Sequence, residues 1–468
     1  MIDLNYSVVS WLITVSIALI TVYLVRFYLR VLSLPKGPFP LPILGNVLIF
    51  RGTKVNQFII INELHKTYGP VYTLWFGSSP MVIIADYYLL KKAFNSKNNE
   101  LMGRPVTGFS KILLQNGKNV LFTSHGPVWA SLRRVAHSAV RKLAVSEKLS
   151  DLVDDVVNET VETMISNEGI GKPFNPKTYI YMSVINIIAS SGFGKRYSFE
   201  DKELKFYEES FEYFRANANK LALTDRVPIL KPFYANVVNK TIQTMKGLTT
   251  SAKQKYMDRL KVHSSGEIHD FCDALIEAKE EAIADEKESA SALTDVNLSL
   301  VIMDLFLAGV DTTQYTMRWI ILLMANNMEM QLRMRHEIND IIGDKVADNH
   351  HKNDCHYVNA FIAETLRYKG VAPLGVPHVA LCDMQLDNYH IKEDTFVFGN
   401  LLAITRDPNL WSKPDVFDPN RFLDKDNKYM SALPGFTPFG IGRRICLGEK
   451  LALADLFWEL YHSMAGQS

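Results

Sequence analysis

The sequence is poor in cysteine and carries almost no net charge. Only Cys272, Cys355, Cys382 and Cys446 occur among 468 residues, at irregular spacings and without a CxxC pair. This spacing argues against a disulfide framework and favours a reducing compartment for the folded part. A formal net charge of +1 without a long basic run gives no argument for nucleic-acid binding.

Charge is absent from one long stretch at the N-terminus, Asn5 to Val25. A helix of this length, at about 1.5 Å per residue, spans the roughly 30 Å hydrocarbon core of a bilayer. Arg26 and Arg30 follow it, which predicts that the bulk of the chain is cytosolic. The alternative is a cleaved signal peptide, but a basic start, a shorter apolar core and a small-residue cleavage site are lacking. We predict a retained membrane anchor over residues 1–32.

A proline-rich segment and one large domain follow the anchor. Four prolines within residues 35–42 exclude a helix and predict a stiff, extended spacer, placed at residues 33–46. Val71–Phe76 and Met81–Ile84 are predicted as two strands around a turn. The remaining domain, residues 47–468, has mostly helical periodicity from about Gly126 onward. The predicted fold class is therefore mainly α with a small β part.

The helical region contains clear amphipathic stretches and two polar interruptions. Ser146–Ser166 and Met328–Ile342 are predicted as helices. Glu280–Asp295 and Gly343–Asn353 are predicted as exposed connections. The second of these overlaps HHKNDCH, residues 350–356, which contains three histidines and one cysteine. A metal site is one interpretation of this segment, and an exposed polar loop is the preferred one.

A second long apolar stretch runs from Leu298 to Asn326. It contains Asp304, Asp311 and Arg318, which make a lipid-facing helix costly. We therefore predict a long helix through the core of a large globular domain.

The segment FGIGRRICLG, residues 439–448, surrounds one cysteine with glycine and positive charge. Its glycines permit backbone geometries that a Cβ would block, so backbone amides can point at a thiolate. Arg443 and Arg444 are predicted to lower the pKa of the Cys446 thiol. Zinc and iron–sulfur sites need several cysteines, whereas a haem iron needs one axial ligand from the protein. The alternative is a buried free cysteine in a glycine-rich turn.

Phe439, Gly442, Arg444, Cys446 and Gly448 match every fixed position of the haem-binding loop of the cytochrome P-450 family, which this segment resembles. The resemblance implies the cytochrome P-450 fold, with Cys446 as the axial ligand of the iron in haem b. Phe439 and Arg444 then belong to the cofactor site. A thiolate ligand favours cleavage of the O–O bond. The family's motifs occur in their usual order over nearly the whole chain.

AGVDTT, residues 308–313, resembles the acid–alcohol pair of the same family. The resemblance implies that Asp311 relays protons and that Thr312 hydrogen-bonds dioxygen or its water. Ala308 and Gly309 would lie against the haem, and Gly309 is expected to leave room for dioxygen. The alternative is a threonine that bonds back to the Ala308 carbonyl and an aspartate on a solvated face.

The two haem propionates need cations. Trp129 and Arg133 match the WxxxR helix of the family, and Arg444 is a third candidate donor. His378 lies where the animal microsomal subgroup often has a propionate-binding residue. The alternatives are a core tryptophan, a solvated arginine and a structural histidine.

Glu364 and Arg367 resemble the ExxR element, which the family completes with a downstream arginine, here Arg421. The resemblance implies a role in folding and haem retention. Asn420 stands where the family usually has an acid, which puts one local contact in doubt. Phe109 and Phe306 are candidates for the lining of an apolar pocket.

These residues predict a membrane-anchored haem-thiolate monooxygenase of the endoplasmic reticulum. It would insert one atom of dioxygen into a lipophilic steroid, lipid or xenobiotic. Electrons would come from NADPH through a flavoprotein reductase, with cytochrome b5 as a further candidate partner, because the chain has no nucleotide-binding signature. The sequences around Trp129 and His378 look most like the animal subgroup of steroid hydroxylases and xenobiotic oxidases.

Two other functions were considered. One is a haem-thiolate isomerase that does not oxygenate, against which Asp311 and Thr312 argue. The other is an inactive haem-binding protein, suggested by the 22 residues after Cys446, fewer than the family usually has. The reductase is expected to dock near Cys446, on basic residues that include Arg134, Arg141, Arg443 and Lys450.

Overall fold

The computed structural model describes residues 2–51, 56–114, 117–144, 147–343 and 347–465. Within these ranges the chain is mainly helical. The helices are α1 Ile2–Leu32, α2 Gln57–Tyr68, α3 Tyr87–Phe94, α4 Gly108–Leu114, α5 Pro127–Ala144, α6 Glu147–Glu168, α7 Lys177–Phe193, α8 Lys202–Arg226, α9 Ala235–Val262, α10 Phe271–Ala284, α11 Asp295–Ala325, α12 Met328–Ile341, α13 Asn349–Asp354, α14 His356–Tyr368, α15 Leu401–Thr405 and α16 Glu449–Ala465.

The strands form one mixed sheet and one hairpin. They are β1 Val71–Phe76, β2 Ser79–Ile84, β3 His378–Val379, β4 Met384–Leu386, β5 Tyr389–Ile391 and β6 Phe396–Gly399. The sheet has the order β1-β2-β6-β3, in which only β2 and β6 are parallel, and β4 pairs with β5. The first predicted strand is confirmed to the residue. The second begins two residues earlier than predicted, because Ser79 already pairs with Phe76.

Helix α11 runs through the middle of the helical core, as predicted for the stretch from Leu298. The Thr294 side chain caps its start by accepting a hydrogen bond from the Asn297 N–H at 3.2 Å. The helix contacts α5, α7, α9, α14 and α16, so most of its surface is buried. Its exposed residues include Ala308 and Thr312 in the middle of the helix and Val296 and Leu322 nearer its ends.

The predicted exposed connections are partly wrong. In the segment predicted from Gly343, residues 349–354 form α13, because the Asp348 side chain accepts hydrogen bonds from the backbone of His350 and His351. Cys355 at the end of this helix is buried, and burial raises the pKa of its thiol to about 12. In the other segment, α10 continues to Ala284 and a 3₁₀ turn covers Glu288–Ala292.

Helix α1 is long and apolar enough to cross a membrane over Val8–Leu32. Near its end, Phe27 packs on Trp75 of β1. The proline-rich segment that follows packs against β1: the Thr73 N–H donates to the Lys36 carbonyl at 3.1 Å, and Asn46 bonds the Trp75 N–H at 2.8 Å. The segment predicted as a stiff, extended spacer is therefore hydrogen-bonded to the sheet. The domain boundaries themselves stay predictions.

Candidate active site

The cysteine loop between β6 and α16 depends on glycine at two positions. Gly440 and Gly442 have φ of 82° and 81°, which side chains rarely adopt. A Cβ on Gly442 would lie 2.3 Å from the Phe94 carbonyl oxygen of α3. The loop then closes on itself, because the Cys446 N–H donates to the carbonyl of the half-buried Phe439 at 2.8 Å.

The Cys446 side chain is exposed, yet burial of the surrounding region raises the pKa of its thiol. This combination places the sulfur in a recess inside the protein. Backbone N–H groups of Gly448 and Glu449 hydrogen-bond the sulfur, and these bonds together with the charge of Arg133 act in the opposite direction on the pKa.

The prediction that Arg443 and Arg444 lower the pKa of this thiol is therefore wrong. Arg443 is exposed and donates to Asn99 Oδ1 at 2.8 Å, and Arg444 points into a different cluster. The nearby cation is Arg133 of α5, whose Nη2 donates to the Ile445 carbonyl at 2.5 Å. Arg443 and Arg444 are close to Cys446 in the sequence, but their guanidinium groups make their contacts elsewhere.

Arg104, Arg133 and Arg444 form a cluster of cations beside the cysteine loop, called here the arginine cluster. Burial and mutual repulsion lower the pKa of Arg444 to about 8 and that of Arg104 to about 10. Burial also lowers the pKa of Arg133, although the charge of Cys446 opposes the shift. Among the described residues no carboxylate pairs with any of the three.

Backbone carbonyls satisfy most donors of the arginine cluster. Arg444 Nη2 donates to the carbonyls of Met102 and Thr123, each at 2.7 Å, and Arg104 donates to Leu121 and Pro377 at 3.0 and 2.8 Å. Arg444 Nε is buried without a partner in the described structure. Carbonyls supply no negative charge, so the cluster remains unneutralised.

Trp129 supports this cluster in a way that differs from the predicted propionate bond. Its Nε1–H donates to the Val120 carbonyl at 3.0 Å. Its ring face receives the guanidinium of Arg444 at 4.0 Å and that of Arg133 at 5.6 Å. The Trp129 ring thus packs against the guanidinium groups of both arginines.

The loop that supplies the Leu121 and Thr123 carbonyls to the arginine cluster is itself hydrogen-bonded to Asp304 of α11. This buried carboxylate accepts hydrogen bonds from Asn119 Nδ2 at 2.6 Å and from the N–H groups of Val120 and Leu121 at 2.9 and 3.0 Å. Burial raises the pKa of Asp304 to about 7 despite these three bonds. Asp304 therefore connects the central helix to the arginine cluster.

His378 lies beside the same cluster. It is buried on β3, stacks on Phe94 with ring centroids 4.2 Å apart, and its Nδ1 lies 2.6 Å from the Leu101 carbonyl. Burial and the charges of Arg104 and Arg444 lower its pKa to about 3, so it is neutral at pH 7.

Ala308 and Thr312 are exposed one turn apart on α11, although the helix is otherwise largely buried. The Thr312 hydroxyl donates to the Ala308 carbonyl at 2.7 Å, which is the bond of the alternative reading. The exposed face nevertheless leaves the hydroxyl oxygen free to accept a hydrogen bond. Gly309 faces α7, since a Cβ there would lie 3.2 Å from Cδ1 of Ile188. Its expected role of leaving room for dioxygen stays a prediction.

Asp311 faces α8. Its Oδ1 accepts from Arg215 Nη1 at 2.5 Å and from Gln314 Nε2 at 3.3 Å. Burial raises the pKa of Asp311, and the Arg215 charge opposes this shift. The carboxyl is thus partly buried and paired, unlike an aspartate on a solvated face.

The ExxR residues form a buried ionic triad. Glu364 accepts from Arg367 Nε at 2.6 Å and from Arg421 Nε at 3.1 Å. Asn420, which stands where the family usually has an acid, accepts a hydrogen bond from Arg333 Nη1 at 2.8 Å through its Oδ1. The triad fastens α14 to the chain that precedes the cysteine loop.

These observations fit a haem. An exposed sulfur in an internal recess can bind the iron, and the arginine cluster lacks the negative charge that two propionates carry. The exposed Ala308–Thr312 face lies on α11, which contacts α16 directly after the cysteine loop. The donor set of one thiolate and three arginines matches a dianionic cofactor with a single axial ligand.

Known proteins that are similar to this chain agree with this assignment. The cytochrome P450 family profile matches residues 35–464. Cytochrome P450 2J5 of Mus musculus is 30% identical over 433 residues, which is 90% of this chain and 83% of that protein. Cytochrome P450 2K6 of Danio rerio is 31% identical, covering 89% of this chain and 81% of its own. Steroid 17-alpha-hydroxylase/17,20 lyase of Squalus acanthias is 30% identical, covering 94% and 88%.

The chain therefore belongs to the cytochrome P450 family. It is a monooxygenase, an oxidoreductase that uses haem and dioxygen with electrons from a redox partner. Its fold is the one predicted from the cysteine loop, and its apolar N-terminal helix fits a membrane anchor.

Three residues that the structure brings to the site were not predicted from the sequence. They are Arg104, Arg215 and Asp304. Asp304 carried a usable signal, because an acid in the apolar run LVIMDLF is rarely buried without a partner. Arg104 and Arg215 carried none, since single arginines are common on surfaces.

Proposed function

We propose that this chain is a monooxygenase of the endoplasmic reticulum membrane, anchored by α1 with its haem domain in the cytosol. It inserts one oxygen atom of dioxygen into a lipophilic small molecule, a steroid, lipid or xenobiotic. The observation that carries the proposal is the arginine cluster next to the exposed Cys446, which no carboxylate of the described residues neutralises.

Each part of the site has a role in this proposal. The haem supplies dioxygen activation when bound, favoured by an axial thiolate. Cys446 is that ligand, and the N–H groups of Gly448 and Glu449 stabilise its negative charge. Arg104, Arg133 and Arg444 bind the propionates, while Trp129 and Asp304 position them. His378, being neutral, donates or accepts a hydrogen bond there without adding charge.

Proton supply is assigned to α11. Thr312 is exposed, and its hydroxyl can exchange its bond to the Ala308 carbonyl for one to dioxygen or its water. The Asp311 carboxyl one residue earlier holds a proton more readily than an exposed aspartate, because burial raises its pKa. Arg215 retains this carboxyl at the α8 interface until it exchanges a proton with Thr312 or water.

The substrate class is inferred from aromatic side chains and relatives. Phe109, half-buried on α4, packs edge-on against Phe122 and Phe214 with ring centroids 5.8 and 5.9 Å apart. Such a cluster suits an apolar substrate. Phe306, by contrast, is 5% exposed and packs on Tyr207 in the core. It lines an apolar cavity together with Phe193 and Ile302, as predicted, but that cavity has a volume of only about 10 Å³. The shark steroid hydroxylase makes a steroid one candidate.

The redox partner is proposed to be the NADPH-dependent flavoprotein reductase, with cytochrome b5 as a further donor. Arg134 and Arg141 of α5 are exposed, and so are Arg443 and Lys450 around the cysteine loop. Arg133 of the same helix contacts the residue before Cys446. An acidic protein surface would dock on these residues close to the haem.

The first experiment is the reduced CO-difference spectrum of the expressed chain and of Cys446→Ser. We expect absorption at the thiolate position for the wild type and its loss in the variant. Cys382→Ser, which changes the other exposed cysteine, is the matched control and should keep the spectrum. An unchanged spectrum in Cys446→Ser would end the ligand assignment.

The second experiment is turnover of a steroid and xenobiotic panel with NADPH and reductase. In Thr312→Ala the product formed per NADPH should fall about tenfold or more, because a positioned proton donor is lost. Thr316→Ala, whose hydroxyl makes the same type of backbone bond at 3.0 Å but is buried, is the control. Retained CO spectrum with no turnover of any substrate would favour the isomerase or the inactive protein.

A further inference from the structure

A second cluster of metal-ligating side chains lies at the connection between α9 and α10. His263 directly follows α9, and its side chain is only 3% exposed. Its Nε2 lies 3.2 Å from Glu277 Oε2 and 3.8 Å from Glu280 Oε2 of α10. One oxygen of each glutamate and the imidazole nitrogen all lie within 4.8 Å of one another.

The orientation of His263 is fixed from its other side. Its Nδ1 lies 3.1 Å from Oδ1 of Asp273, a carboxylate that is 1% exposed. An N–H at Nδ1 that donates to a carboxylate leaves a lone pair on Nε2. This carboxylate–histidine arrangement is typical of histidines that bind metals.

The Nε2 atom itself is buried and lacks a hydrogen-bond partner in the described structure. Glu277 Oε2 is near enough, but the angle does not suit a hydrogen bond. A buried ring nitrogen thus points between two carboxylates without donating to either. This arrangement suits a cation shared by all three groups better than a proton held by two of them.

Both glutamates are positioned by the short loop after His263. The Gly266 N–H donates to Glu277 Oε2 at 3.2 Å, and the Ser265 hydroxyl donates to Glu280 Oε2 at 2.9 Å. The two glutamates lie three residues apart on α10, on one face of the helix. The Glu280 side chain is 46% exposed, which leaves a path for water and an ion.

The alternative is an ordinary ion-pair cluster around a protonated His263. Asp273 already has other partners, since Arg259 Nε lies 3.7 Å and His269 Nδ1 3.3 Å from its oxygens. Glu277 and Glu280 have no cation other than His263 within ion-pair distance among the described residues. The two glutamates therefore bring more negative charge than one imidazolium neutralises.

We propose that His263 Nε2, Glu277 and Glu280 bind one divalent cation of the Zn²⁺ type, with water as the fourth ligand. Ligands about 2.0–2.1 Å from a tetrahedral zinc lie about 3.3 Å apart, close to the 3.2 and 3.8 Å found here. One nitrogen and two carboxylate oxygens suit Zn²⁺ better than Mg²⁺ or Ca²⁺, which prefer oxygen alone. The ion would fasten the end of α9 to α10, apart from the haem site.

The test uses the haem-loaded full chain in detergent. The protein is freed of metal with a chelator, dialysed against buffered Zn²⁺, and its bound zinc is measured by mass spectrometry. We expect one zinc per chain more in the wild type than in Glu280→Gln or His263→Gln, with at least a tenfold loss of affinity in each. Glu281→Gln, an exposed neighbour on α10, should bind like the wild type.

Glu280→Gln keeps the proposal testable because this side chain is half exposed and its loss should not prevent folding. Its haem absorbance should match that of the wild type. Zn²⁺ should raise the thermal midpoint of the wild type and of Glu281→Gln but leave that of Glu280→Gln unchanged. Equal zinc content in all variants, no zinc above background, or equal competition by Mg²⁺ would each overturn the proposal and leave the protonated histidine.

Discussion

Two buried groups of arginines in this protein differ in one respect: one surrounds a carboxylate and the other does not. Arg367 and Arg421 both bond Glu364, and the donors of Arg367 that remain reach the Thr405 and Pro414 carbonyls at 2.8 and 2.9 Å. The arginine cluster of Arg104, Arg133 and Arg444 also bonds carbonyls, but it bonds no acid in the part of the chain that the structure describes.

The difference separates a folding element from a ligand site. A guanidinium keeps its proton at pH 7 even where burial lowers its pKa to about 8, so buried like charges must be neutralised by something else. Around Glu364 the chain supplies the counter-charge. Among the described residues the arginine cluster has none, and the proposed dianionic haem would complete the set.

The largest expected effect comes from removing the carboxylate of the complete triad. Glu364→Ala leaves two buried arginines without a counter-charge, which typically costs about 3–5 kcal/mol. We expect a large fall in the urea midpoint and in the yield of haem-loaded protein. Glu162→Ala, an exposed glutamate on α6, is the control and should change neither. A wild-type midpoint in Glu364→Ala would contradict the structural role of the triad.

The matching change in the arginine cluster should act on haem and much less on folding. Arg444→Leu removes a charge-assisted contact to a propionate, worth about 1.5–3 kcal/mol, so haem transfer to apomyoglobin should accelerate roughly tenfold to a hundredfold. Without haem, the lost carbonyl bonds and the relieved repulsion act in opposite directions, and the apoprotein midpoint should change little.

Arg443→Leu is the control for this comparison. Arg443 is exposed and lies next to Arg444 in the cysteine loop, but it does not belong to the arginine cluster. A loss of apoprotein stability in Arg444→Leu as large as that in Glu364→Ala, with unchanged haem transfer, would make both clusters structural.

The contrast also shows what could be predicted from sequence. The strand Val71–Phe76 and helix α11 follow from local periodicity, and the cysteine loop is one contiguous motif. The ExxR pair is local as well, and Arg421 could be added because the family motif names its position.

The arginine cluster could not be predicted as a unit, because its parts are distant in sequence. Arg444 meets the carbonyl of Met102 across 342 positions, and Asp304 meets Val120 across 184. The same separation along the chain explains why the direction of the pKa shift of the Cys446 thiol was predicted wrongly. Arg443 and Arg444 are its neighbours along the chain, while Arg133 of α5 is its neighbour in space.

A third buried group consists of acids instead of arginines, and it avoids an unbalanced charge in a different way. Asp455 and Glu459 lie one turn apart on α16, and both oxygens of Asp455 are buried without a hydrogen-bond partner in the described structure. Burial raises the pKa of Asp455 to about 8 and that of Glu459 well above its ordinary value. A buried carboxyl becomes neutral at pH 7 by keeping its proton, whereas Arg444 stays charged at pH 7 even with its pKa lowered to about 8, so this pair needs no ligand.

The smallest predicted effect therefore concerns pH. Between the ordinary pKa of an aspartate and about 8, folded Asp455 keeps a proton that the unfolded chain has lost, so stability falls as pH rises through this range. One retained proton corresponds to about 1.4 kcal/mol per pH unit at most. In Asp455→Asn, which cannot ionise, the fall in urea midpoint between pH 6 and pH 7.5 should be shallower, whereas Asp151→Asn, exposed on α6, should keep the wild-type slope. An Asp455→Asn slope equal to that of the wild type would mean that the carboxyl is ionised and that an unseen cation balances it, which would remove the contrast with the arginine cluster.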